Sequence, residues 1–450
     1  MIGWRILREG EYKLNIPVLS EDEEKLILAT EHKFKEVTRS SSSEHDTEKL
    51  LSGILSKVAQ ESGIYLEHSQ ENYLSEVAFM HIYGFAFLEP IIADSEVEEI
   101  SIIGPLKPAY VYIRNVGWKS VNACFENERG ISDMINRLGR SLGRHITMQN
   151  PRLDAMLPDR SRLHASLPPV SEGEITIRKF RPKPFSPNEL VKNSLISCDA
   201  MALLSILMQS DKSLIIAGNT ASGKTSTLNG LFSFVPGNDR VIITEETPEI
   251  NIPHKHQLRM IANREMGITL KDLVYDSLRM RPDRMIVGEV RSKGEAEALF
   301  DVLLAGQARG NYATFHAQSA TEALSRLRSF GINENDLRSI DCILIQRRMS
   351  VYDRKKRRNR EIRKVVEIAE VEGGAKLIYQ NGKVVLGKLV DDIGESLGLS
   401  RKEILAELSL RKKLIEKGPN DFGEFYELFQ EKIYGIIKQR KNDLETGGYD

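Results

Sequence analysis

Leu214-Ile215-Ile216-Ala217-Gly218-Asn219-Thr220-Ala221-Ser222-Gly223-Lys224-Thr225 decides the fold of this chain. The apolar run Leu214–Ala217 reads as a strand buried on both faces. Gly218 to Thr225 then has the form G-x-x-x-x-G-K-[ST], a P-loop. Its glycines let successive backbone N–H groups curl around an anion. Lys224 has the reach to touch β- and γ-phosphates, and the Thr225 hydroxyl is suited to ligating Mg²⁺. From Lys224 through Leu228, Leu231 and Phe232 the apolar spacing is helical, so the loop opens onto a helix N-terminus. A chance match in a surface loop would lack both flanking elements. Gly218, Asn219, Thr220, Ala221, Ser222, Gly223, Lys224, Thr225 and Ser226 are therefore the expected binding residues for a nucleoside triphosphate.

Working outward, strands are expected at Ser213–Ala217, Val241–Thr244, Arg284–Val287, Tyr312–Phe315 and Ile340–Ile345. Helical segments lie between them, the pattern of a parallel α/β sheet. Ligands of such sheets sit off the carboxyl ends of the strands, and chemistry-bearing residues stand at three of those ends. Glu245 and Glu246 close one, as carboxylates suited to holding a Mg²⁺-bound or attacking water. Glu289 closes the next within Val287-Gly288-Glu289-Val290-Arg291, placed like a Walker B and suited to polarising water. Asp283 precedes that strand and so lies at the wrong end. His316 ends the following strand, where it could sense or relay loss of the γ-phosphate. Thr225 and Glu246 are the expected metal ligands. The plainer readings are a solvated acidic turn, a surface glutamate and a structural histidine.

The chain has 450 residues, enough for two or three domains, with 41% hydrophobic and 28% charged residues, as in globular proteins. A net charge of −1 argues for neither a nucleic-acid coat nor an acidic tail. No apolar run reaches the roughly 18 residues of a membrane span. Met1–Gly10 has no apolar core, so no signal peptide is expected. Cys124, Cys198 and Cys342 are isolated, which excludes zinc-ribbon spacing and fits buried thiols. Residues 1–45 read as a charged arm and a serine linker at Ser40–Ser43. Helical spacing follows at Leu51, Ile54, Leu55 and Val58, and a second helix is expected over Tyr73–Phe87. Glu99–Ile103 and Ala109–Ile113 read as strands, Ile131–Leu142 as a helix, and Leu153–Phe180 as two short strands.

Three prolines in Arg181–Pro187 make a stiff linker. The expected organisation is an arm and helical region (1–75), an N-terminal α+β domain (76–181), a Pro-rich linker (182–189), a P-loop core (190–348) and a β-hairpin with helical extension (349–450). Within that extension, Ile404, Leu405, Leu408, Leu410 and Leu414 are expected to pack on the core. The basic run Arg354–Arg360 reads as a solvated loop.

The order of P-loop, TEETPEI, VGEVR and ATFHA resembles the type II/type IV secretion ATPases. These power type II secretion, type IV pilus assembly and the archaellum. Pro151–Arg162 (PRLDAMLPDRSR) and Ile175–Lys179 (ITIRK) resemble that family's NP-x-x-D-A-x-LPDGSR and TIRK segments. The match runs from about Leu88 to Arg348, and the missing four-cysteine zinc module makes it closer to archaeal members. The resemblance implies a RecA-like P-loop NTPase domain behind the N-terminal α+β domain, and a ring of six with nucleotide between the domains. It assigns Arg162 and Arg178 to the phosphates, Glu245 and Glu246 to the acidic box, Glu289 to the Walker B and His316 to the histidine box. Glu246 stands where the family usually has Asp, Arg160 where it has Gly, and Asn311 where it has a first His.

The implied protein is a cytoplasmic ATPase using ATP and Mg²⁺, peripheral at the inner face of the cell membrane. It would form a homo-hexamer and drive a polytopic membrane platform protein that assembles a pilus, archaellum or pseudopilus. Nucleic acid is not an expected partner. The rival readings are a RecA-like nucleic-acid motor, either helicase or packaging ATPase, and a scaffold that binds nucleotide without turnover. The Pro151–Arg162 and Ile175–Lys179 segments argue against the first, and intact Lys224, Thr225 and Glu289 against the second.

Overall fold

The computed structural model describes residues 4–6, 12–14, 19–40, 47–82, 84–114, 116–140, 144–147, 149–263, 266–355, 357–380 and 382–435. The chain divides into two compact units, Met1–Arg181 and Pro182–Asp450.

The N-terminal unit runs β1 (Trp4–Ile6), α1 (Glu21–Ser40), α2 (Thr47–Glu61), α3 (His68–Ile82), α4 (Leu88–Ala93), β2 (Val97–Ile102), β3 (Pro108–Ile113), β4 (Gly117–Phe125), α5 (Glu128–Arg140), β5 (Arg152–Met156), β6 (Arg162–Ser166) and β7 (Glu174–Arg178). Its strands form one antiparallel sheet, ordered β1-β4-β3-β2-β7-β6-β5. Helix α5 lays Ile131, Ile135 and Leu138 on that sheet, over Ile100, Val111 and Ile177. Three differences from the sequence reading stand out. The segment read as a charged arm holds the long helix α1, because Leu26, Ile27 and Phe34 make a narrow apolar stripe buried against α2 and α3. The helix expected over Tyr73–Phe87 starts earlier and ends at Ile82. Leu153–Phe180 holds three strands rather than two. The linker residues Ser41–Ser43 lie outside the described residues.

The C-terminal unit runs α6 (Pro187–Lys192), α7 (Cys198–Gln209), β8 (Leu214–Gly218), α8 (Lys224–Leu231), β9 (Val241–Glu245), β10 (Gln257–Ile261), α9 (Leu270–Ser277), β11 (Arg284–Val290), α10 (Lys293–Ala305), β12 (Gly310–Phe315), α11 (Ala320–Ser329), α12 (Glu334–Leu337), β13 (Cys342–Asp353), β14 (Arg358–Val371), β15 (Ala375–Gln380), β16 (Lys383–Val384), α13 (Lys388–Leu397), α14 (Arg401–Lys417) and α15 (Phe422–Tyr434). Pro187, read as part of the linker, is the first residue of α6, whose N-terminus is capped by the Ser186 side chain. The sheet order is β10-β9-β11-β12-β8-β13-β14-β15-β16. Pairing is parallel from β10 to β13 and antiparallel beyond.

Strand alternation divides the core of this unit. Leu214 and Ile216 of β8 face Leu203, Leu207, Leu228 and Phe232, while Ile215 and Ala217 face Leu299, Phe300 and Leu324. Both faces are thus covered by helices, the α/β architecture that a continuous apolar strand requires. Each fully buried Leu, Ile or Phe of these layers contributes roughly 1.5–3 kcal/mol. In α14 the inward stripe is Ile404, Leu408, Arg411 and Ile415, whereas Leu405 and Leu410 are exposed. The reading missed Arg411 because a buried guanidinium looks like surface charge. It donates to Ser205 O at 3.1 Å and lies over the Phe429 ring. Of the basic run, Arg354, Lys355 and Arg357 lie between β13 and β14, and Arg358–Arg360 open β14. Lys356 lies outside the described residues.

Candidate functional site

Strand β8 ends at Gly218, and α8 begins six residues later at Lys224. Gly223 caps that helix at φ +92°, a left-handed conformation that only glycine adopts freely. A Cβ there would also sit 2.9 Å from Gln346 Nε2. The loop between is held from β13 and β14. Gln346 Nε2 donates to Ser222 O and Thr227 Oγ1 donates to Gln346 Oε1, each at 2.6 Å. Asn219 and the Arg348 backbone exchange two bonds, of 2.9 and 2.8 Å. Arg363 Nε donates to Ala221 O at 2.9 Å. None of Gln346, Arg348 or Arg363 was singled out from the sequence. They lie more than 120 residues from the loop they grip, and the β8–β13 register, Gln346 opposite Gly218, with the β13–β14 pairing, Arg363 opposite Arg348, brings them there.

Lys224 is 8% exposed, its Nζ 3.4 Å from Gly218 O and 3.8 Å from Glu289 Oε1. Glu289 arrives by a local irregularity. Between Val287 and Val290, β11 carries one residue more than its partner β12, the mark of a bulge. Gly288 belongs there because a Cβ would approach Glu245 Cγ to 3.0 Å and Thr244 O to 3.2 Å. Its carbonyl accepts from Thr314 Oγ1 at 2.6 Å. The bulge leaves Glu289 half-buried, facing both the P-loop lysine and β12. His316 Nε2 is 2.6 Å from Glu289 Oε1. Burial, aided by Lys224, holds the His316 imidazole below its ordinary range. At 2.6 Å the carboxylate oxygen accepts, so the proton shared between them is the one on His316 Nε2.

Arg291 was not singled out either. Its Nε donates to Glu289 Oε2 at 2.7 Å and its Nη1 to Glu246 Oε2 at 2.9 Å. Glu245 and Glu246, read as a pair, part company. Glu245 is buried, and its Oε1 accepts from the Glu249 and Ile250 amides, each at 2.8 Å. Its Oε2 lies 3.3 Å from Arg259 Nε. Burial outweighs those contacts and pushes its carboxyl up to about 7. Glu249, another residue the reading passed over, accepts from Thr225 Oγ1 at 3.1 Å.

The P-loop residues, Glu289 and His316 thus gather at one sheet rim, with Glu246 joined to them through Arg291. Glu245 braces the turn after β9. Arg162 and Arg178 belong to the N-terminal unit, where they stand directly opposite each other on β6 and β7. Arg162 Nη2 lies 4.0 Å from Asp154, and Arg178 is exposed.

These residues fit a phosphate chain with its metal ion. The loop turns through left-handed Ala221 and Gly223, and at Gly218 a Cβ would sit 2.7 Å from Ser222 Oγ. Ser222 Oγ is buried with no hydrogen-bond partner among the described residues. A nine-tenths buried ammonium and a hydroxyl stand at the first turn of α8, the donor set for phosphate and Mg²⁺.

Residues 107–388 match the family model described as type II/IV secretion system protein. An uncharacterized protein of Methanocaldococcus jannaschii is 35% identical over 302 residues, covering 65% of this chain and 53% of that one. The chain thus spans about half that relative's length. The type IV secretion system protein VirB11 of Bartonella quintana is 28% identical over 284 residues, covering 53% of this chain and 78% of VirB11. The X-ray structure of the Legionella pneumophila ATPase DotB aligns with TM-score 0.48 at 17% identity, covering 79% of this chain and 92% of DotB. The family model spans more than half of the sequence and takes in the P-loop, the acidic box, the bulged strand and His316. The chain belongs to the type II/IV secretion system protein family.

Proposed function

We propose that this chain is an ATP-hydrolysing motor of a secretion-like system. One observation carries the reading: a strand-end carboxylate, Glu289, stands 3.8 Å from the P-loop lysine and 2.6 Å from His316. Bound ATP with Mg²⁺ supplies the phosphoanhydride that breaks and the charge that screens it. The loop amides of 218–226 and Lys224 would hold the phosphates, and Thr225 would supply a hydroxyl to the metal ion. Glu289 orients and polarises the attacking water, and His316 fixes the carboxylate by its Nε2 proton. Glu245 holds the turn that carries Glu249 toward Thr225. Arg162 and Arg178 oppose each other directly on neighbouring strands, which sets two guanidinium groups side by side for one anion such as a phosphate.

Family membership supports the rest of the reading. The motor forms a homo-hexamer, couples hydrolysis to domain motion and works at the inner face of the cell membrane. There it drives a polytopic platform protein that assembles a pilus, archaellum or pseudopilus. The Methanocaldococcus relative supports an archaeal setting. No helix among the described residues is long and apolar enough to cross a membrane. The test is phosphate release by the parent chain and Lys224→Ala. The variant should lose turnover because the charge on the β- and γ-phosphates is gone. Parental rates in Lys224→Ala would refute the assignment. Stimulation by DNA or RNA, with none by acidic lipid, would favour the nucleic-acid motor instead.

A further inference from the structure

Arg291 follows the bulged strand that carries Glu289, and the turn holding it is tightly made. Its backbone N–H donates to Glu295 Oε2 at 2.6 Å, and Ser292 with Glu295 forms a capping box at the start of α10. Its backbone is therefore set by the helix start. Its side chain then forks. Nε donates to Glu289 Oε2 at 2.7 Å, Nη1 donates to Glu246 Oε2 at 2.9 Å, and Nη2 also bonds Glu289. Glu246 follows β9 by one residue, and β9 is the sheet neighbour of β11. One planar guanidinium thus spans the carboxyl ends of two adjacent strands. Without it two carboxylates would face each other across the same rim.

The consequence for Glu289 is geometric. Arg291 occupies Oε2, so Oε1 is the oxygen turned toward His316 and Lys224. A lysine could not reproduce this, because an ammonium is a point charge without the rigid fork. Glu246 stands where the family resemblance expects aspartate. Its carboxylate is one methylene further out, and that carboxylate is the one at Arg291.

We propose that Arg291 is a positioning residue, and that Glu246 acts on Glu289 through it rather than as a ligand of the metal ion. The proposal rests on the ATPase reading given above. Glu246 anchors one arm of the fork. The other arm then fixes the rotamer of Glu289, and with it the direction in which the base faces.

The test compares the parent, Arg291→Gln, Glu246→Gln and the double variant, all as full chains. Two readouts are needed: kcat and KM from phosphate release, and the affinity of a fluorescent ATP analogue titrated with Mg²⁺. Each single change should lower kcat about tenfold or more. The double should fall no more than about twofold below Arg291→Gln, because both changes remove the same link. Analogue affinity and the Mg²⁺ concentration for half-maximal binding should stay within about twofold of the parent, since no phosphate-facing group has changed. Multiplying losses in the double variant would overturn the proposal. So would a several-fold rise in the Mg²⁺ requirement of Glu246→Gln, which would make Glu246 a metal ligand. A parent chain without turnover would refute the ATPase reading and this role together. Turnover with multiplying losses would refute this role alone.

Discussion

His254 should make the C-terminal unit acid-labile. It lies between the acidic box and β10, 1% exposed, with its ring edge-on to Phe232 at 5.8 Å and tilted against Tyr426 at 6.0 Å. Its Nε2 donates to Pro236 O at 3.1 Å, and Nδ1 has no hydrogen-bond partner among the described residues. A second proton on Nδ1 would be buried unpaired, and burial pushes the ring from its ordinary 6.5 down to about 4. Because the folded value is below the unfolded one, the unfolded chain takes up the proton first. The stabilisation is complete above pH 6.5 and is lost as the pH falls through about 4. At about 1.4 kcal/mol for each pH unit, that displacement is worth about 3 kcal/mol. His254→Phe fills similar space and cannot charge. Pro236 O keeps the Asp239 N–H at 3.1 Å, so the variant should lose only about 1 kcal/mol at pH 7.5. Urea unfolding should be followed by far-ultraviolet circular dichroism, because both tryptophans, Trp4 and Trp118, lie in the N-terminal unit. Between pH 7.5 and 4.5 the parent should lose about 2–3 kcal/mol relative to the variant, which should become the more stable of the two. A difference that does not change with pH would refute the argument.

Glu289→Gln should keep its place beside His316 yet lose turnover by about 10²–10⁴ while still binding ATP; normal turnover in it, with loss in Glu245→Gln, would move the base to the acidic box. Arg162→Gln and Arg178→Gln should each depress kcat by at least tenfold or so with an unchanged circular dichroism spectrum, and parental rates would make these arginines structural. Specific activity should rise with protein concentration, and light scattering with a non-hydrolysable ATP analogue should show a hexamer. A fully active monomer would remove the ring. Gly288→Val should cost turnover as well as roughly 1–3 kcal/mol, because its side chain would press on Glu245 Cγ and Thr244 O and re-aim Glu289; retained activity would deny the bulge its role.

Much of this protein was legible in its sequence because the deciding signals are local. A strand, a glycine turn and a helix start within Leu214–Leu231 are set by burial, φ freedom and helical spacing among near neighbours. The apolar runs ending at Glu245, Glu289 and His316 name the strands whose carboxyl ends meet, and so the parallel α/β class. Helix α1 escaped notice because its apolar stripe is narrow and its charges many. What the tertiary structure decided is which of those side chains meet. The bulge at Gly288–Glu289 turns one carboxylate toward Lys224, while burial commits Glu245 to backbone amides. Register places Gln346 under the P-loop, and a capped helix start places Arg291 between two strands. Gln346 with Ser222, Glu289 with Lys224 and Arg291 with Glu246 are contacts between residues far apart in the chain, made by sheet order and by a one-residue irregularity. No periodicity along the sequence encodes either, because each arises only when one strand pairs with another.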